Sequence, residues 1–301
     1  MQTNGGHSHS HAIARLQLAM QAAGYVAEPG VCAALFLLGE LGRPLLVEGD
    51  PGVGKTALAK ALAEVHGTSL IRLQCYEGLD VHHALYEWNY QGQLLAIKIA
   101  EARGTQSALD EDALFSEKFL LPRPLLQSIS AERPPVLLID EIDRADEPFE
   151  ALLLELLSDF QVSIPEIGTV RARSRPMVVL TSNGTRELSD ALRRRCLYLF
   201  LDYPSFEKEL LILETRVPQL PRDLGRQIVE FVQALRQIDL KKRPGIAETL
   251  DWAASLLRLG IPSLEGADVE DIMTTLTALI KTRDDSLAVT PELVERLVAA
   301  C

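Results

Sequence analysis

The sequence predicts an α/β fold in which a mostly parallel sheet is covered by helices on both faces, followed by an all-helical domain. Three observations predict it. Short, continuous apolar runs at 44–47, 136–139, 177–180 and 197–201 are separated by helix-like segments, as buried parallel strands are. The first run leads directly into Gly49-Asp50-Pro51-Gly52-Val53-Gly54-Lys55-Thr56, and Ala57 continues into a helix. Beyond Pro204 the strand signals stop and only helical segments follow. The chain therefore divides into a tail and helix (1–26), an α/β domain (27–204) and a helical domain (205–301).

Each element follows from its residues. Residues 12–23 read as a helix, and 27–41 as a second with Val31, Ala34, Leu35, Leu38 and Leu41 on its apolar side, broken by Gly42. After the glycine-rich loop and its helix, 69–74 is a strand, 92–103 a helix and the polar stretch 104–113 a loop. Prolines 122, 124, 134 and 135 bracket a short helix at 125–129. The buried strand 136–139 precedes a helix that starts near Pro148, where a missing N–H leaves no bond unmade, and ends near Phe160. Residues 163–165 and 170–172 form the arms of a hairpin around 166–169. Strands 177–180 and 197–201 follow. The helical domain then holds 207–217, 224–236, 246–259, 268–279 and 291–299.

The pattern G-x-x-x-x-G-K-T between a strand and a helix is that of a phosphate-binding loop. Its glycines let backbone N–H groups close around a di- or triphosphate without a Cβ clash. Lys55 is placed to reach the β- and γ-phosphates and Thr56 to offer its hydroxyl to Mg²⁺. The nucleotide-contacting set is Gly49, Asp50, Pro51, Gly52, Val53, Gly54, Lys55, Thr56 and Ala57.

Asp140 and Glu141 end an apolar strand, where side chains of a parallel sheet face the ligand crevice. Asp140 is assigned to Mg²⁺, directly or through water, and Glu141 to the attacking water. The plain alternative is a helix N-cap. Asn183 ends the next strand and is assigned to the water or the γ-phosphate; alone, Ser182-Asn183-Gly184 is only a turn signal. Arg193, Arg194 and Arg195 concentrate positive charge in an acidic chain, which suggests an anion contact reaching a neighbouring subunit, or else a solvated face. Of Lys241-Lys242-Arg243, at the entry to a helix, Arg243 is the residue that would close over the phosphates.

Composition narrows the partners. The 301 residues carry 42 acidic and 30 basic side chains, a net charge of −12 that argues against a non-specific grip on nucleic acid. A hydrophobic share of 47% supports a packed core rather than disorder. Cys32, Cys75, Cys196 and Cys301 share no C-x-x-C spacing and read as reduced thiols. No apolar run reaches the roughly 18 residues of a membrane helix, so no stable membrane insertion is expected. The N-terminus lacks the signature of a signal peptide, and a cytoplasmic location is expected. His7, His9 and His11 alternate in a polar start that reads as a frayed tail or a weak metal site.

Taken together, these residues resemble those of AAA+ ATPases, and within them the MoxR family. Residues 49–56 match the Walker A loop, and 136–141 match Walker B, continuing as Ile142-Asp143-Arg144-Ala145. Asn183 matches the sensor 1 asparagine, and 188–195 the segment carrying the arginine finger, with Arg195 the first candidate and Arg194 the second. The resemblance spans about 27–301 and implies an AAA+ P-loop core with an α-helical lid domain, ATP and Mg²⁺ as ligands, and a homo-oligomeric ring, which the family leads one to expect as a hexamer. Residues 86–90, 115–126, 182–188 and 242–252 look like stretches of the MoxR-type accessory ATPases of aerobic carbon monoxide dehydrogenase. That likeness implies an ATP-driven chaperone for maturation of a molybdenum hydroxylase or other metalloenzyme, working with a von Willebrand factor A domain partner. One departure stands out: Ala247, with Glu248 beside it, occupies the place of the sensor 2 arginine, so Arg243 serves instead or sensor 2 is absent. Glu166 in the hairpin, and Tyr76, Trp88 and Tyr90, are candidates for client contact or for packing. The competing functions are a nucleic-acid-associated NTPase, a metal-chelatase subunit and a module that binds ATP without turning it over.

Overall fold

The computed structural model describes residues 5–103 and 111–301. Helix α1 spans Gly5–Ala22. The start of the chain is therefore helical from Gly5 rather than frayed, because a helix nucleated in the amphipathic part adds further residues at little cost. The His9 ring also packs edge-on against Phe36, centroids 5.9 Å apart. Helix α2 (Pro29–Leu41) buries Val31, Cys32, Leu35 and Leu38. Leu41, expected on that buried side, is exposed, and Cys32 completes the face instead.

Strand β1 (Leu45–Gly49), helix α3 (Lys55–Val65) and strand β2 (Leu70–Gln74) follow as expected. The helix expected at 92–103 forms as α5 (Tyr90–Arg103), and around it stand elements that the sequence did not announce: α4 (Val81–Ala84), β3 (Tyr86–Trp88), α6 (Glu111–Leu114) and β4 (Leu120–Pro122). Strands β3 and β4 pair antiparallel, with Glu87 opposite Leu121. Of the loop expected at 104–113, residues 104–110 lie outside the described residues and 111–113 are helical in α6.

Helix α7 (Pro124–Ser130) leads to β5 (Val136–Asp140), every residue of which is buried. Helix α8 (Glu147–Asp159) is capped by Asp146, whose carboxylate accepts the Phe149 N–H at 3.0 Å. Strands β6 (Gln161–Ile164) and β7 (Gly168–Arg171) form the expected antiparallel hairpin. Strand β8 (Met177–Ser182), helix α9 (Asp190–Arg195) and strand β9 (Leu197–Leu201) complete the α/β part. The helical lid region comprises α10 (Phe206–Arg216), α11 (Arg222–Arg236), α12 (Ile246–Arg258), α13 (Val269–Thr275), α14 (Arg283–Ala288) and α15 (Pro291–Val298). Helix α14 has no counterpart in the sequence expectation, and the helix expected to reach residue 279 becomes a 3₁₀ turn after Thr275.

The chain forms two compact units. One comprises the residues up to Leu16, Pro29–Glu48 and Ala59–Phe200. The strand order is β2-β5-β8-β1-β9, and the β2–β5, β5–β8 and β8–β1 pairs run parallel. Leu137, Ile139, Val178 and Leu180 from the strands pack with Ile129, Leu153, Leu156 and Leu192 from the helices. Parallel strands covered in this way must be apolar on both faces, which explains their uninterrupted hydrophobic runs.

The other unit comprises Gln17–Glu28, Gly49–Leu58 and Leu201–Cys301. Phe231 and Trp252 lie at its centre, ring centroids 4.8 Å apart. Arg236 and Glu209 form a buried ion pair through two bonds of 2.6 and 2.7 Å. Thr249 Oγ1 donates to Glu209 Oε1 at 3.0 Å, and Arg236 Nε donates to the Pro244 carbonyl at 2.8 Å. A buried pair tolerates desolvation only when its remaining atoms are satisfied in this way. Here it also anchors Pro244, two residues before α12 begins.

Candidate functional site

The glycine-rich loop lies in the unit that contains the helical region. Gly52 and Gly54 adopt φ of +84° and +99°, which side chains with a Cβ rarely adopt. A Cβ on Gly52 would lie 2.8 Å from Gly245 Cα, and one on Gly49 would lie 2.1 Å from the Leu201 carbonyl oxygen. Lys55, the first residue of α3, is buried, and its Nζ donates to the carbonyls of Gly49 at 2.6 Å and Asp50 at 2.8 Å. The cation curls the loop around itself, at a helix N-terminus suited to an anion.

The start of α12 abuts this loop. Ile246 N–H donates to the Gly52 carbonyl at 2.9 Å, and Glu248 Oε2 accepts the Gly245 N–H at 3.0 Å. Glu248 thus caps the start of α12. Tyr25 and Ile246 flank Gly54. Burial, then the charge of Asp50, pushes the Tyr203 phenol up, while Arg236 and Arg243 pull it down. Arg243 therefore shares the electrostatic neighbourhood of the loop residue Asp50. Ala247 is exposed.

The acidic residues belong to the sheet unit. Asp140 is buried at the end of β5. Its Oδ1 accepts the Thr181 hydroxyl at 2.5 Å, and its Oδ2 accepts Arg72 Nε at 3.0 Å and Nη2 at 2.6 Å. Glu141 has φ +56°, ψ +50°, a left-handed turn unusual outside glycine. The turn is held by the Glu141 N–H donating to Thr181 Oγ1 at 2.9 Å and by the Arg144–Glu141 ion pair at 3.1 Å. Backbone in this region stores strain that surrounding contacts must sustain.

Asp143 is also buried. Burial alone would raise its carboxyl pKa, but the Thr185 hydroxyl and the N–H groups of Thr185 and Asn183 hold it below the usual range. Those bonds, at 2.5, 3.0 and 3.2 Å, fasten Asn183 to the turn that carries Glu141. The sheet unit therefore brings Asp140, Glu141 and Asn183 together through Thr181 and Asp143.

The three arginines of α9 diverge. Arg193 Nη2 lies 3.6 Å from Glu48 Oε2. Arg195 Nε donates to Ser158 Oγ at 2.8 Å. Arg194 is exposed, and its guanidinium has no ion pair or hydrogen bond among the described residues. Lys241 pairs with Asp284, and its N–H, with that of Lys242, donates to Asp285. Trp88 is a buried packing residue, edge-on to Phe115 at 5.2 Å, whereas Tyr76, Tyr90 and Glu166 are exposed.

Sequence reasoning missed Arg72, Thr181, Asp143, Gly245 and Tyr25 as parts of these two arrangements. Thr181 had the one available signal, a hydroxyl one residue past Leu180, which pairs with Ile139 across the β5–β8 register.

The residues suit a magnesium–nucleotide ligand. Mg²⁺ is bound by few protein oxygens and keeps several waters. In the sheet unit Asp140, both of whose oxygens already accept protein donors, is a ligand of that limited kind. Among the described residues, no group of three or more His, Cys, Asp or Glu side chains is arranged to hold a metal ion. No helix among them is long and apolar enough to cross a membrane.

Comparison with known proteins places these features in context. A model of the family described as "ATPase family associated with various cellular activities (AAA)" matches residues 45–201. Midasin of Giardia intestinalis is 54% identical over 43 residues, and midasin of Dictyostelium discoideum is 26% identical over 201. These matches cover 14% and 64% of this chain but only 1% and 3% of the midasins. An uncharacterized protein of Staphylococcus aureus strain USA300 is 27% identical over 260 residues, 82% of this chain and 86% of that protein. Among solved structures, Thermotoga maritima RuvB, a Holliday junction branch migration motor, aligns at 20% identity over 92% of this chain and 70% of its own, with a TM-score of 0.44.

Proposed function

Because the chain belongs to the AAA family of ATPases, we propose that it is an ATP-driven remodeller of a client protein whose subunits complete one another's sites in a ring. The observation that carries the reading is the turn at Glu141. A carboxylate held in a left-handed conformation directly after a buried aspartate is suited to orienting a water for in-line attack. Strand order supports it, since β5 neighbours β8 and β8 neighbours β1, the strand that continues into the phosphate loop.

In this reading residues 49–57 hold the nucleotide, with Lys55 on the β- and γ-phosphates. Thr56 and Asp140 serve Mg²⁺, which when bound neutralises the charge that develops on the phosphates. Glu141 polarises the attacking water and Asn183 positions it. Arg194, unengaged within its own subunit, is given the trans role. Arg195, the other candidate, is engaged within its own subunit by Ser158 Oγ and the Ala191 carbonyl. Arg243 approaches the phosphates from the lid in place of a sensor 2 arginine.

The MoxR-like stretches support the finer assignment. Residues 86–90 and 115–126 contain the β3–β4 pair, a separate two-stranded sheet suited to client contact. On that basis the ring is hexameric and cytoplasmic, the partner carries a von Willebrand factor A domain, and the client is a molybdenum hydroxylase or another metalloenzyme. The net charge of −12 favours a protein client over nucleic acid.

The test is steady-state hydrolysis by the purified protein, with particle mass recorded with and without ATP. Glu141→Gln should keep ATP binding and lose about 10²–10⁴-fold in turnover. Undiminished turnover in that variant, or stimulation by DNA and not by an immature metalloenzyme, would sink the reading.

A further inference from the structure

Helix α9 is poorly equipped to orient its own arginines. It has six residues, of which only Leu192 is buried. Its position is set instead from the two ends of β1. Arg43, two residues before β1, donates from Nη2 to the Arg194 carbonyl at 2.7 Å and to that of Cys196 at 3.4 Å, and from Nε to the Arg195 carbonyl at 3.2 Å. These are the carbonyls that a helix leaves without partners at its C-terminus, where a cation is favoured. At the other end, Glu48 faces Arg193 at 3.6 Å and accepts the Tyr198 hydroxyl at 3.4 Å. Between these anchors the Arg194 guanidinium has no ion pair or hydrogen bond among the described residues. The next residue after Glu48 is Gly49, the first of the phosphate loop.

We propose that Arg43 and Glu48 are positioning residues for the trans-acting arginine, so that one strand both delivers the phosphate loop to a subunit's own nucleotide and aims Arg194 at its neighbour's. The proposal rests on the ring reading above and adds to it the element that orients the arginine. Neither residue touches the nucleotide in this scheme. Their loss therefore impairs the neighbour's hydrolysis and leaves the subunit's own ATP binding intact.

The experiment is subunit mixing. Arg43→Ala should bind a fluorescent ATP analogue within about twofold of wild type, which also reports folding, and lose on the order of 100-fold in turnover, as a misplaced catalytic group does. Glu48→Gln, which keeps the size of the side chain, should show a smaller loss of the same kind. Mixing Arg43→Ala with excess Glu141→Gln subunits, whose own sites are dead but whose arginines are intact, should restore at least tenfold of the lost turnover. Arg194→Ala mixed in the same way serves as the reference. Rescue of Arg194→Ala without rescue of Arg43→Ala overturns this proposal and leaves the ring reading standing. Full turnover by Arg194→Ala alone, or failure of Glu141→Gln to rescue either variant, overturns the trans-arginine reading and this proposal with it.

Discussion

Replacing Gly245 by alanine isolates the contact between the start of α12 and the phosphate loop. Gly245 has φ −88°, so alanine meets no backbone strain there. The conflict is purely one of space. The new Cβ would lie 2.6 Å from Gly52 Cα and 2.9 Å from the Gly52 oxygen, both backbone atoms that cannot swing aside. To reach ordinary contact at 3.4 Å, the two segments must part by about 0.8 Å, and overpacking of this kind costs roughly 1–3 kcal/mol. The Ile246 N–H to Gly52 carbonyl bond, 2.9 Å long, lies directly in the path of that displacement. Amide hydrogen exchange at Ile246 reads the effect. At about 1.36 kcal/mol per decade, exchange should accelerate roughly 5- to 160-fold. Gly39→Ala is the control, because its added methyl meets nothing within 4 Å and helix α2 should gain up to about 1 kcal/mol. Unchanged protection at Ile246 in Gly245→Ala would refute the claim that the loop and the helix start are in steric register.

Two further outcomes follow from the acidic cluster. Asp143 is held below the usual carboxylate range, so its contribution is present above the unfolded value near pH 4 and is lost as the pH falls from there through the lower folded value. Asp143→Asn should therefore be less stable than wild type at pH 7, with the gap closing below about pH 4 in circular dichroism titrations; a gap constant from pH 7 to pH 3 would contradict this. Cys75 is pushed up to about 12 by burial and then by the charges of Asp140, Asp143 and Glu141. At pH 8 its thiolate fraction is about one in ten thousand, so Cys75 should resist alkylation in the native protein and react once it is unfolded, as mass spectrometry would show. Labelling equally fast in both states would be inconsistent with that burial.

The strands were legible because each is a continuous apolar run, and the loop because its glycines and lysine are consecutive. The β3–β4 pair was not legible. Tyr86–Trp88 and Leu120–Pro122 are three residues each, too short for a period, and more than thirty residues separate them. Short helices such as α4 and α14 escaped for the same reason. Leu41 was assigned to a buried side by helical spacing, yet it lies in the last turn, where burial depends on what packs there.

The sequence by itself determined the α/β class with its helical lid, the phosphate loop and the acidic pair at a strand end, all features whose chemistry is carried by adjacent residues. Only the tertiary structure decided that Thr181 and Arg72 hold Asp140, that Gly245 rests on Gly52, and that Arg43 grips the carbonyls at the end of α9. These contacts join residues from 41 to 193 positions apart in the chain. Local propensity and spacing carry no information about such pairs, because strand order and helix packing alone bring them within bonding distance.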